Sequence, residues 1–377
     1  MMNHFRHYFK VSLIAIILLA CQVSFSQKSE DLVFTTVKQL KATPVKNQSM
    51  SGTCWSFATV SFLESELIRL GKGEFDLSEM FFVHYVYIQK AISYVRLHGN
   101  ANFGAGGQAH DVINGLRDYG AIPESIYTGL KPSEEKHDHG EMDAVLKAMV
   151  VAIAKQENVS VVWQSAIENV LDAYLGKIPA SFDYKGKNYT PKNFAKDVIA
   201  LNPDDYIEIT SFTHHPFYKT FRLEVPDNWA FCNYYNVPLD DIITIIDYAI
   251  DKGYTVDWDG DVSEKEFSNS KGYARLGDTD VPDAERNGKE KKITPEMRQK
   301  AFDDYSTTDD HLMHFTGITK DQKGIKYYIT KNSWGPSAND FGGYMNLSEQ
   351  FVRYKTIAIL LHKDAVPDDI AKKLGIK

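Results

Sequence analysis

Gln48-Ser49-Met50-Ser51-Gly52-Thr53-Cys54-Trp55-Ser56-Phe57-Ala58 reads as a tight, polar, glycine-containing turn that runs straight into a helix. Trp55, Ala58, Phe62 and Leu63 follow helical spacing, and Leu67 and Ile68 continue it. Cys54 therefore falls in the first turn. Backbone N–H groups lack intrahelical partners there, and the positive end of the helix dipole favours a thiolate. A free thiol is mostly protonated at neutral pH, so a nucleophilic cysteine needs such help. A lone cysteine behind an ordinary turn is more often a small buried core residue. The deciding question is whether the chain also supplies a base.

His311 lies in Asp309-Asp310-His311-Leu312-Met313-His314-Phe315-Thr316-Gly317-Ile318, an apolar run that reads as a buried strand. A second strand follows, Lys326-Tyr327-Tyr328-Ile329-Thr330, and ends in Lys331-Asn332-Ser333-Trp334-Gly335. Antiparallel pairing of these strands places His311 beside Asn332. A cysteine nucleophile needs a base, and the base needs a partner that fixes its tautomer. His311 is the candidate base and the Asn332 carbonyl its orienting acceptor. Trp334 is expected to shield that hydrogen bond from water and to line the substrate cleft. Gln48 is a candidate donor for a developing oxyanion, together with the Cys54 backbone N–H. This chemistry calls for neither a metal nor an organic cofactor. His314 is read as a core histidine.

The 377 residues are 43% hydrophobic and 24% charged, an ordinary globular composition. Net charge is −8, and no basic block or aromatic–basic interleaving points to nucleic acid. Arg6 and Lys10 precede the apolar run Val11–Cys21, and Ser24-Phe25-Ser26 follows as a small-x-small cleavage pattern. Residues 1–26 thus read as a secretory signal peptide, and the protein as exported, periplasmic or secreted. Leu18-Leu19-Ala20-Cys21 also resembles a bacterial lipobox with Cys21 as the lipidated residue. No other apolar run is long enough to span a membrane. Cleavage leaves Cys54 and Cys232, and Cys232 is read as a buried structural thiol.

The coarse layout is a helical lobe over 27–130 with Cys54, a helical insertion over 131–226, a strand-rich lobe over 227–362 with His311 and Asn332, and a C-terminal arm over 363–377. Asp76-Leu77-Ser78-Glu79 caps a second helix, and Gly106-Gly107-Gln108 precedes a third, Ala109 to Tyr119. His137, His139, His214 and His215 are read as solvated loop histidines, since no carboxylate or cysteine stands at ligand spacing. Asp257, Asp259 and Asp261 invite comparison with a calcium loop. The glycine falls at the wrong position and the closing Glu is missing, so that reading is rejected. Residues 263–306 read as charged and loop-like.

Gln48, Gly52-Thr53-Cys54-Trp55-Ser56-Phe57-Ala58, His311 and Asn332-Ser333-Trp334-Gly335 resemble the papain-like cysteine peptidases. The cysteine usual three residues before the nucleophile in that family is replaced by Ser51. Cys54 and His311 are also farther apart than the about 130–150 residues of the papain type. The enlarged, disulfide-free layout is similar to the bleomycin hydrolase and bacterial aminopeptidase C branch. The resemblance implies an α+β two-lobe fold with a helical insertion and a Cys-His-Asn site acting on peptide substrates. It implies Gly106 and Gly107 as the loop that pairs with the substrate backbone, and a homo-oligomer, a hexamer in that branch. It further implies aminopeptidase action, with the Lys377 carboxylate meeting the substrate's free amine. An open-cleft endopeptidase and a silent peptide-binding protein are the alternatives.

Overall fold

Helix α1 (Cys54–Arg69) begins at the residue the spacing indicated, and all but its last two residues are buried. The computed structural model describes residues 32–277 and 290–376. The expected signal segment with Cys21, and Lys377, lie outside the described residues. Helices α2 (Glu79–Arg96) and α3 (Ala109–Asp118) cover one side of α1, and the sheet covers the other. The Ser78 Oγ accepts from the Phe81 N–H at 3.1 Å, so the predicted cap of α2 is formed.

The insertion supplies α4 (Gly140–Ala154) and α5 (Trp163–Leu175). The hairpin β2 (Phe182–Tyr184) to β3 (Lys187–Tyr189), short helix α6 (Pro191–Phe194) and a π-turn over Ala195–Ile199 follow. Met142, Leu146, Val150, Ile167, Leu171 and Leu175 are buried in the same core as α1, α2 and α3. Each helix thus buries one apolar stripe against the helical lobe.

Eleven strands among the described residues form the main sheet. Its first member, β1 (Phe34–Gln39), pairs with β10 (His311–Asp321). The remaining order runs from β5 (Thr220–Arg222) through β6 (Asn233–Asn236), β4 (Tyr206–Thr210), β13 (Thr356–His362) and β7 (Val256–Gly260) to β10. It continues through β11 (Lys326–Lys331), β12 (Tyr344–Ser348) and β9 (Tyr273–Ala274) to β8 (Phe267–Ser268). The sheet starts earlier in the chain than residue 227, because β4 and β5 pair into it. The stretch 263–306 is also more regular than a loop. It holds β8, β9 and helix α8 (Pro295–Asp303), capped by Thr294.

Side chains alternate along β10. Leu312 joins the core around α1, whereas Met313 and Phe315 join a second core. That second core contains α7 (Leu239–Lys252), part of α9 (Glu349–Lys355) and α10 (Asp368–Leu374). Ile370, Ala371 and Leu374 are buried in it, and Ile376 packs against it. The described part of the C-terminal arm is therefore folded on the face of the sheet turned away from α1. Among the described residues, no helix is long and apolar enough to cross a membrane.

Candidate active site

Cys54 opens α1, and the backbone N–H groups of Leu312 and Trp55 lie close enough to its sulfur to favour the thiolate. Leu312 follows His311 directly, and all three residues line one cleft. His311 Nε2 lies 2.8 Å from Asn332 Oδ1, which also accepts the Ser333 N–H at 2.7 Å. Two neighbours that can donate identify that atom as the amide oxygen, so the His311 hydrogen is on Nε2 and Nδ1 is left as an acceptor. β10 begins at His311, and β11 ends one residue before Asn332. The pairing of His314 with Lys331 sets the two side chains side by side. The Trp334 ring lies over His311 with centroids 4.7 Å apart, covering the bond as expected.

Burial dominates the electrostatics. It pushes the Cys54 thiol up to about 12, with the Leu312 and Trp55 N–H groups pulling the other way. It brings the His311 imidazole down to about 4, against the Asn332 hydrogen bond. Both groups thus favour their neutral forms.

A cleft of about 350 Å³ joins these groups, lined by Gln48, Cys54, Gly106, Gly107, His311 and Trp334, with Asp227, Asp309 and Asp310 beside them. Gln48 is nearly buried. Its Oε1 accepts from Ser333 Oγ at 2.6 Å and its Nε2 donates to the Ser51 carbonyl at 2.8 Å. One N–H of the amide remains for the cleft. Ser51, where the related pattern has a cysteine, returns a bond to the Gln48 carbonyl at 2.7 Å. Gly107 is required by close approach: a Cβ there would sit 2.8 Å from Asp111 Oδ2 and 3.0 Å from the Trp55 ring.

Several expectations change. His137 and His139 are buried, not solvated, and Nδ1 of both and Nε2 of His139 have no hydrogen-bond partner. Their backbones pair with Met50 at 3.0 Å each, which ties the insertion to the loop bearing Gln48. His214 and His215 are half-exposed and both face Glu224, at 3.2 and 2.9 Å. Cys232 is half-buried, not buried, and both described cysteines are free thiols. His314 is fully buried with Nδ1 2.9 Å from Ser61 Oγ, as a core histidine should be. The carboxylates Asp227, Asp309 and Asp310 in the cleft were not anticipated. Nothing in their spacing to Cys54 marks them.

A helix-borne thiol and a strand-borne imidazole line one cleft, and the family match makes this chain a cysteine peptidase of papain-like fold. The chain belongs to the Peptidase C1-like family, which it matches over residues 12–376. It is 25% identical to aminopeptidase C of Streptococcus thermophilus over 90% of this chain and 84% of that protein. It is 22% identical to aminopeptidase G of Lactobacillus delbrueckii subsp. lactis, over 89% of this chain and 84% of that protein. The crystal structure of pepw from Lactobacillus rhamnosis has the same fold. It superposes with a TM-score of 0.72 at 18% identity, covering 91% of this chain and 85% of that one.

Proposed function

We propose that this chain is a thiol aminopeptidase that removes residues from the free N-termini of peptides, with Cys54 as nucleophile, His311 as acid and base, and Asn332 as its orienting partner. The observation that carries the reading is the His311–Asn332 bond in the same cleft that Cys54 lines from the start of α1. In this reading the Cys54 proton passes to His311 Nδ1, and the sulfur attacks the carbonyl carbon of the first peptide bond. The oxyanion accepts from the Cys54 N–H and from Gln48 Nε2. His311 then protonates the leaving amine as the C–N bond breaks. Water, deprotonated by His311, attacks the thioester, and the acid product leaves as Cys54 regains its proton. Gly106 and Gly107 pair with the backbone of the substrate, and Trp334 walls the cleft. The names of the relatives support removal from the N-terminal end.

Cys54→Ala should abolish hydrolysis of aminoacyl-peptide substrates, and the wild type should cleave free peptides while sparing their N-acetylated forms. Full activity in the variant would overturn the nucleophile assignment. Equal cleavage of blocked peptides would make the enzyme an endopeptidase. Residues 1–26 are proposed as an export signal, and sequencing the N-terminus of the mature protein tests both cleavage and the Cys21 alternative. Assembly into a hexamer is proposed from the branch resemblance and is read by light scattering.

A further inference from the structure

An exopeptidase must hold the charged end of its substrate, and the cleft offers a carboxylate for it. We propose that Asp227 binds the free α-ammonium group of the substrate and closes the cleft behind it. The inference rests on the aminopeptidase reading and deepens it.

Asp227 lines the same cleft as Cys54, Gly106 and His311. It reaches there from the segment between β5 and β6. Its position is built: Oδ1 accepts from Asn102 Nδ2 at 2.7 Å, and Oδ2 lies directly over Gly106. A Cβ on Gly106 would sit 1.9 Å from Oδ2, so any other residue there would push the carboxylate aside. Burial, with Asp111 adding to it, raises the Asp227 carboxyl above its ordinary value, while buried Lys90, which donates to the carbonyls of Gly104 and Gly106 beneath the loop, pulls it down. A cation arriving from the substrate supplies a second, closer counter-charge.

The consequence for substrates is geometric. In this proposal a peptide paired in extended form along Gly106 and Gly107 presents its N-terminal end to the Asp227 carboxylate that lies over Gly106. A chain that continues there collides with it and buries a carboxylate against an uncharged backbone. A chain that ends there presents an ammonium group to Oδ2. The same residue thus rewards a free end and rejects a continued or acetylated one, which is how a site achieves discrimination beyond attraction alone. Asp309 and Asp310 also border the cleft, but Asp227 is the carboxylate that lies over the Gly106 backbone.

The test compares the wild type and Asp227→Asn on three substrates: an aminoacyl amide, its N-acetyl form and the same compound with the amino group replaced by hydrogen. A hydrogen bond to a charged group is worth about 10- to 100-fold in kcat/KM. The wild type should lose that factor when the amino group is removed. Asp227→Asn should lose it on the intact aminoacyl amide and lose nothing more on the deamino compound. Alkylation of Cys54 by iodoacetamide at an unchanged rate shows that the variant's cleft is intact. If Asp227→Asn fails to fold, Asp227→Glu carries the test. It keeps the charge and moves it, and should narrow the preference for the amine. A wild type that prefers free amines and variants that keep the full preference would overturn the role of Asp227 while leaving the aminopeptidase reading standing. A wild type indifferent to acetylation would overturn both.

Discussion

Thr59 has one hydroxyl hydrogen and two oxygen neighbours, the Trp55 carbonyl at 2.8 Å and Asp257 Oδ2 at 2.6 Å. Both contacts are hydrogen bonds only if Asp257 is protonated and donates to Thr59. Asp257 Oδ1 is buried without a partner, and burial pushes the carboxyl up to about 8. A folded value above the ordinary 3.8 stabilises the fold fully below about pH 4. That contribution is lost as the pH rises toward 8. Asp257→Asn keeps a donor and removes the titration. Its melting temperature should therefore gain on the wild type between pH 4 and 8 and hold that gain above 8, as read by differential scanning calorimetry. Gln48 is the other residue whose role a single change reads. With its amide anchored by Ser333 and Ser51, Gln48→Ala should cut kcat about 100- to 1000-fold with little change in KM. A loss below tenfold in steady-state kinetics would remove it from the oxyanion site.

At the scale of elements, the start of α2 and the middle of α1 are joined by buried charge. Lys46 Nζ meets Glu79 at 2.7 Å and Asp76 at 2.6 Å, and Glu64 lies 3.9 Å away. Glu64 in turn accepts the Leu77 N–H at 2.9 Å. Lys331, at the end of β11, donates to Ser61 of α1 at 2.7 Å and to Thr43 at 3.0 Å. These contacts hold α1 against the strand that leads to Asn332. Lys46→Met strands two buried carboxyls and should cost about 3 kcal/mol by urea denaturation. Adding Glu79→Gln should restore part of it, since the second change removes a charge the first left alone. Ser78→Ala, which deletes only the α2 cap, should cost about 1 kcal/mol in the same assay.

Across the whole molecule, the insertion reaches the active-site loop through His137 and His139. Burial, with His137 adding to it, brings His139 down to about 4. A folded value below the ordinary 6.5 means that its contribution is present above about pH 6.5 and lost as the pH falls toward 4. His139→Phe should therefore flatten the acid limb of stability between pH 6.5 and 4, seen in urea midpoints at several pH values. An acid limb as steep as that of the wild type would place the titration elsewhere. Because the His137 and His139 backbones pair with Met50, acid should loosen the loop that bears Gln48 along with the insertion.

The amino-acid order alone determined the helix at Cys54, the cap at Ser78 and the strand pair that joins His311 to Asn332. Periodicity, capping and hairpin proximity are local, and each leaves its trace within a few residues. The insertion's histidines misled because solvation was judged from polar neighbours in sequence, whereas in space His137 packs between Phe57 and His139, and both backbones are tied to Met50. Only the tertiary structure decided that Asp227 faces Gly106, that Ser333 holds Gln48 and that Thr59 meets Asp257. Those partners stand more than a hundred residues apart. A contact made by folding two distant segments together has no period and no cap to announce it.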